Sequence, residues 1–139
     1  MARYCVDASA MIALLVIEEA TPAVREFWRS LSINDEVLSA QLLYPEYTSV
    51  VRSKVYEGRI TSEEAAAVMD ELLSLPVTGI TVRDQFPAAL EIAGQLRMAR
   101  AYDAQYLAVA RLENCEIITV DSGMYQGAVN LKIPARLLR

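Results

Sequence analysis

Short apolar runs alternate with helix-period stretches along the whole chain, and an acid stands at several of the changeovers. Tyr4-Cys5-Val6 closes on Asp7, and Ile117-Ile118-Thr119-Val120 closes on Asp121. Asp103 opens a helical stretch in Ala101-Tyr102-Asp103-Ala104, and Glu46 lies early in another. Strands alternating with helices imply an α/β fold, with a parallel sheet covered on both faces. In such sheets the carboxyl ends of the strands and the helix starts that follow share one crevice, where ligands bind. Four acids meeting there would form an all-oxygen site suited to Mg²⁺ or Mn²⁺.

The punctuation between these runs places the elements. Tyr4–Asp7 reads as a first strand and Ala8–Glu18 as a helix that is apolar nearly all round. Thr21 followed by Pro22 reads as an N-cap and first helical residue, opening a helix that carries Phe27 and Trp28. Glu36–Leu38 is a brief second strand, and Ser39 is placed to cap a third helix that passes Pro45 in its first turns and stops at Gly58. Thr61 and Glu64 form a capping-box pattern, and Ala65, Val68, Met69, Leu72 and Leu73 keep helical spacing as far as Pro76. Val77–Val82 predicts a third strand, Asp84 a cap for a helix reaching about Arg97, and Tyr102–Leu112 a sixth helix. Glu116–Val120 predicts the fourth strand, a short helical turn follows Asp121, and Val129–Ile133 predicts the fifth strand.

No repeat or linker interrupts this pattern, so residues 1–139 read as a single domain. Hydrophobic residues at 54% and charged residues at 22% fit a folded chain with a real core. Met11–Ile17 is too short to span a bilayer, and Met1-Ala2-Arg3 leads into a strand instead of a signal peptide. The expectation is a cytoplasmic protein with no membrane partner. Cys5 and Cys115 have no metal-ligand spacing and read as buried, reduced thiols.

The net charge of −5 argues against a surface that holds nucleic acid by charge alone. It does not exclude a nucleic-acid substrate. Acids reserved for a metal bias the count, and of 13 basic residues all but Lys54 and Lys132 are arginine, the better phosphate fork. The absence of histidine decides more. It excludes Ser-His-Asp and Cys-His catalysis and any histidine-ligated zinc.

Taken singly, each acid has an ordinary structural role: a helix cap for Asp7 and Asp121, a helix-dipole partner for Asp103, a solvated helix face for Glu46. Taken together they are costly. Two carboxylates about 4 Å apart repel by roughly 4 kcal/mol at an effective dielectric of about 20. Such a cluster raises its own pKa values, and a divalent cation reverses the sign. Paired metals can then orient a water for attack on a phosphodiester and stabilise the leaving oxygen.

The order Val6-Asp7-Ala8-Ser9, Pro45-Glu46, Gly58-Arg59-Ile60-Thr61, Tyr102-Asp103-Ala104-Gln105-Tyr106-Leu107-Ala108, Ile118-Thr119-Val120-Asp121 resembles a PIN domain. In length and layout it is most similar to the stand-alone PIN toxins of prokaryotic VapBC toxin–antitoxin pairs, over essentially the whole chain. The resemblance implies a three-layer α/β/α fold with a five-stranded parallel sheet in the order 3-2-1-4-5 and about seven helices. It implies a ribonuclease dependent on Mg²⁺ or Mn²⁺, with Asp7, Glu46, Asp103 and Asp121 as the acidic, metal-binding quartet. Ser9 matches a small hydroxyl residue often present two positions after the first acid, and Thr119 takes a similar supporting part. It implies an RNA substrate, a DNA-binding antitoxin of the VapB kind, and a homodimer. Many relatives carry basic residues after the last acid, where this chain has Ser122-Gly123-Met124.

Candidates for substrate contact are Arg52, Lys54 and Arg59 around the end of the third helix and Arg97 and Arg100 just before Asp103, though such residues commonly serve as solvated surface. Tyr102 and Tyr106 are the right type to stack on a base, with core burial as the commoner role. Leu14, Leu15, Phe27, Trp28, Tyr44 and Tyr47 make the first helices unusually apolar, which favours a dimer or antitoxin interface there. A catalytically inactive PIN-fold binding module is the rival reading. A phosphoacceptor receiver domain is a weaker one, because the third strand ends Thr81-Val82-Arg83 without an acceptor aspartate.

Overall fold

Three of the five strands carry buried apolar residues, and these three form the centre of the sheet. The computed structural model describes all 139 residues. Its elements are β1 (Arg3–Val6), α1 (Ala8–Leu15), α2 (Thr21–Ser30), β2 (Glu36–Ala40), α3 (Leu43–Tyr56) and α4 (Ser62–Ser74). They continue with β3 (Thr78–Ile80), α5 (Gln85–Gln95), α6 (Tyr102–Glu113), β4 (Glu116–Thr119), α7 (Ser122–Asn130) and β5 (Ala135–Leu137). The sheet order is β3-β2-β1-β4-β5 with every pair parallel, as the PIN resemblance implies.

β1 sits at the centre, with Cys5 opposite Leu38 on one side and Ile117 on the other. Cys5, Val6, Leu38, Ile117 and Ile118 are buried, as a strand covered on both faces requires. Among the helices, α1 and α6 bury the most residues, α6 through Ala104 and the run Tyr106–Ala110. Cys5 and Cys115 are buried free thiols. No helix is long and apolar enough to cross a membrane.

Several local expectations are corrected, at Thr21 and Ser39 because the hydroxyl finds a partner outside the helix start the sequence offered it. α1 stops at Leu15, short of Glu18. The Thr21 hydroxyl donates to the Ala13 carbonyl at 2.6 Å and accepts from the Glu18 amide at 2.8 Å. It thus satisfies the open end of α1 and does not cap α2. Ser39 is no cap either: it is buried in β2, and its hydroxyl donates to the Val6 carbonyl at 2.7 Å. Asp84 adopts a left-handed backbone with φ 68 and makes no capping bond. The Gln85 side chain instead accepts from the Val82 amide at 2.9 Å.

Downstream of Asp121 there is a full helix, α7, where the sequence suggested one turn, and β5 lies at Ala135–Leu137 instead of Val129–Ile133. The strand begins only after Pro134, whose carbonyl accepts the Ile117 amide at 2.8 Å. The capping box does form, with Glu64 N donating to Thr61 Oγ1 at 3.0 Å and Thr61 N to Glu64 Oε1 at 3.1 Å.

The apolar surplus of the first helices is also largely absorbed. Leu14, Phe27 and Tyr47 are buried, and Leu15, Trp28 and Tyr44 are partly buried against the same core. The exposed large apolar side chains include instead Ile33, Tyr56, Leu73, Phe86 and Leu90.

Candidate active site

Because β1 and β4 pair with Val6 opposite Ile118, Asp7 and Thr119–Asp121 emerge at the same end of the sheet. Asp7 is the N-cap of α1 and only 2% exposed. Its Oδ1 accepts from the Ala10 amide at 3.0 Å and the Ser9 hydroxyl at 2.7 Å, while Oδ2 accepts from the Thr119 hydroxyl at 2.6 Å. The two hydroxyl oxygens lie 3.2 Å apart. Backbone amides close the network, Val120 N donating to Ser9 at 3.3 Å and Asp121 N to Thr119 at 3.0 Å. Ser9 and Thr119 therefore fix Asp7 and tie the ends of two strands together.

The other acids are more open. Asp121 caps α7 by accepting the Gly123 amide at 2.9 Å and is exposed. Asp103 stands exposed in the first turn of α6. Glu46, in the first turn of α3, accepts the Tyr106 hydroxyl at 2.6 Å. Tyr106 is fully buried, so it is unavailable for stacking, and its task is to hold Glu46. The sequence offered one clue to this bond: Tyr106 follows Asp103 by three residues and shares its helix face. Tyr102 is exposed.

Burial pushes the Asp7 carboxyl up to about 6, against the three hydrogen bonds that favour its charge, and the charge of Asp121 adds to the rise. Burial also raises Glu46, opposed by the Tyr106 bond and reinforced by Asp103. Asp103 is raised by burial and then by Asp121. The acids thus feel one another in the order Glu46, Asp103, Asp121, Asp7. They are neighbours in charge at one end of the sheet, but no three of them close into a ready-made ligand cage. Hard oxygen donors with room for water suit Mg²⁺, which keeps several waters and binds through one or two carboxylates. The donor set fits such an ion.

This gives a signed pH dependence. The folded pKa of Asp7 lies above its ordinary value of 3.8, so between about pH 4 and about pH 6 the folded chain keeps a proton the unfolded chain has lost. Metal-free stability contributed by this group is therefore full below about pH 4 and falls by about 3 kcal/mol as pH rises through about 6. In chelator, Asp7→Asn is expected to be more stable than the parent at neutral pH, and the gap should close near about pH 4. Urea unfolding at both ends of that range measures it; a gap independent of pH contradicts it.

Of the basic candidates, Arg97 and Arg100 are exposed in the loop between α5 and α6, with no acidic partner. Met98, between them, lines a cavity of about 400 Å³ shared with Asp103 and Asp121. Arg52 lies 6.0 Å over the Tyr56 ring, and Arg59 pairs with Glu57 at 3.0 Å, so neither is drawn to the acids. Sequence reasoning missed Arg139, which shares a second cavity with Val120 and Ser122 on either side of Asp121. Only the folding of β5 beside β4 brings it there.

The family model for the PIN domain matches residues 4–130. The chain belongs to the PIN domain family. Solved PIN-fold structures similar to it include VapBC2 from Rickettsia felis bound to a promoter DNA fragment, 12% identical over 99% of each chain with a TM-score of 0.73. VapBC-1 from nontypeable Haemophilus influenzae is 17% identical over 97% of each chain, with a TM-score of 0.69. Mycobacterium tuberculosis VapC20, a sarcin-ricin loop cleaving toxin, is 19% identical over 87% of this chain and 92% of its own, with a TM-score of 0.65. At these identities the likeness is one of fold. No curated protein matches this PIN-domain chain.

Proposed function

We propose that this PIN-domain protein is a metal-dependent endoribonuclease, acting in the cytoplasm as the toxin of a type II toxin–antitoxin pair. PIN domains and VapC proteins form a nuclease family, and several structures similar in fold are VapBC complexes. The observation that carries the reading is Asp7: a buried carboxylate, braced by two hydroxyls, raised by burial and by Asp121, in a chain without histidine.

Asp7, Glu46, Asp103 and Asp121 would hold Mg²⁺ or Mn²⁺, which when bound supplies a charge for the phosphodiester and acidifies water. Ser9 and Thr119 keep Asp7 in one rotamer, and Tyr106 does the same for Glu46. Asp103 and Asp121 face the cavity through which RNA approaches. Arg97 and Arg100, in the loop before Asp103, and Arg139, which lines the cavity beside Val120 and Ser122, offer forks for phosphate oxygens. Arg52 and Arg59 are weaker candidates, already engaged elsewhere.

Purified protein is expected to cleave RNA with Mg²⁺ or Mn²⁺ and to stop when chelator exceeds metal. Undiminished cleavage in excess EDTA would overturn the metal-dependent reading. A non-catalytic PIN-fold binding module is the second reading, favoured by the absence of a preformed cage. No cleavage with either metal, in protein that still binds its antitoxin, would select it.

The partners follow from the same proposal: RNA, a VapB-like DNA-binding antitoxin, and a second copy of the chain. Tyr56 and Leu73, exposed on α3 and α4, are the large apolar residues of the first four helices left for the homodimer contact. Light scattering at tens of micromolar is expected to report twice the chain mass, and a monomer there contradicts the dimer.

A further inference from the structure

The cavity that Asp103 and Asp121 share is built differently from the acid site it adjoins. Away from the acids its wall is apolar, formed by Leu96, Met98, Leu107 and Met124. At its rim stand two exposed amides on α7, Gln126 and Asn130, joined by a 3.0 Å bond from Gln126 Nε2 to Asn130 Oδ1. That bond leaves the Gln126 carbonyl and the Asn130 amino group for a ligand. Gly123 and Gly127, one turn apart on α7, both line the cavity. A mid-helix glycine costs about 1 kcal/mol against alanine, so Gly127 needs a reason. At Gly127 the reason is space: a Cβ there would come within 3.0 Å of Leu96 Cδ1 and narrow the floor.

We infer that this cavity is a nucleobase subsite, which takes one unpaired base of the RNA beside the scissile phosphate and reads its edge with Gln126 and Asn130. Its volume of about 400 Å³ is at the small end for ligand sites, which suits a base with its sugar. The Met98 thioether and the Leu96 methyls form the accessible bed for a π-face, with Met124 and Leu107 buried directly behind them. Asn and Gln amides carry the donor and acceptor that base edges require. A base can enter only out of its stack, so the substrate class is RNA with an unpaired nucleotide at the cut, such as a loop or single strand. The inference rests on the ribonuclease reading for the meaning of the site, but its test does not depend on cleavage.

Methyl-¹³C-methionine protein titrated with nucleoside 5′-monophosphates, which have no phosphodiester to cut, reads the pocket directly. The Met98 and Met124 methyl signals, assigned with Met98→Leu and Met124→Leu, are expected to shift while those of Met11 and Met69 stay still. Ribose 5-phosphate, which lacks the base, is expected to move neither. The double variant Gln126→Ala, Asn130→Ala is expected to weaken the preferred nucleotide by about three- to tenfold and to blunt sequence preference in RNA cleavage. Silent Met98 and Met124 signals at millimolar nucleotide, or equal shifts with ribose 5-phosphate, overturn the subsite. Shifts caused by an arginine-bearing peptide and not by nucleotides overturn it too and assign the cavity to a protein partner. Nucleotide shifts in a protein that cleaves no RNA keep the base site and remove the ribonuclease reading; cleavage with silent methyls does the reverse.

Discussion

Asp103→Asn and Asp7→Asn are each expected to lower metal-dependent RNA cleavage by about a hundredfold or more and to leave the fold intact. The two acids reach that result by different routes. Asp103 stands on the first turn of α6, where partial burial of its carboxylate and then the charge of Asp121 raise the cost of its charge. An amide there removes a ligand charge and relieves repulsion, so stability holds. Asp7 is buried and receives three hydrogen bonds. Asparagine keeps one oxygen for Ser9 and Ala10, and its amino group faces the Thr119 hydroxyl, which can rotate to accept. The loss of a buried charge above its ordinary pKa offsets that adjustment. Turnover of a fluorescent RNA and thermal unfolding by circular dichroism are the paired readouts. Full activity in either variant, or gross unfolding of either, contradicts the assigned role.

The second large effect concerns restraint of the proposed nuclease by its proposed antitoxin. A pocket whose acids repel one another accepts a guanidinium as readily as a metal, because a bidentate fork matches a carboxylate. An antitoxin segment that folds on binding is expected to place an arginine near Asp7, Glu46, Asp103 and Asp121, anchored by aromatic and aliphatic burial nearby. Replacing that arginine with alanine is expected to restore most cleavage in the complex while weakening the complex much less. Comparison of cleavage rate with affinity for the intact pair measures both. Continued full inhibition, with the segment far from the four acids, contradicts the mechanism.

What could be read before folding was whatever rests on neighbouring residues. An apolar run closing on an acid marked the ends of β1 and β4, and the spacing of Ala65, Val68 and Leu72 with the Thr61 and Glu64 box marked α4. The strand order came through the PIN resemblance, not through periodicity. Hydroxyl residues misled because they have more partners in three dimensions than in sequence: Thr21 closes the end of α1, and Ser39 bonds across to β1. The alternation Val129-Leu131-Ile133 imitates a strand, yet α7 continues to Asn130 because Asp121 caps a full helix. At the site, the placement of Asp7, Ser9 and Thr119 was legible because each flanks a strand end. The Tyr106 bond to Glu46 spans sixty residues and is marked in sequence only by the three-residue spacing from Asp103, and Arg139 shares a cavity with Ser122 only through β5, which leaves no local trace.

Anomalous diffraction from crystals soaked in Mn²⁺ tests most directly whether these acids bind a metal. The expected result is a manganese peak at the carboxyl end of β1 and β4, in contact with oxygens of Asp7 and at least one of Asp103 and Asp121, lost in Asp7→Asn crystals. Manganese bound elsewhere, or no peak among these acids in protein that cleaves RNA, would contradict the metal-site assignment.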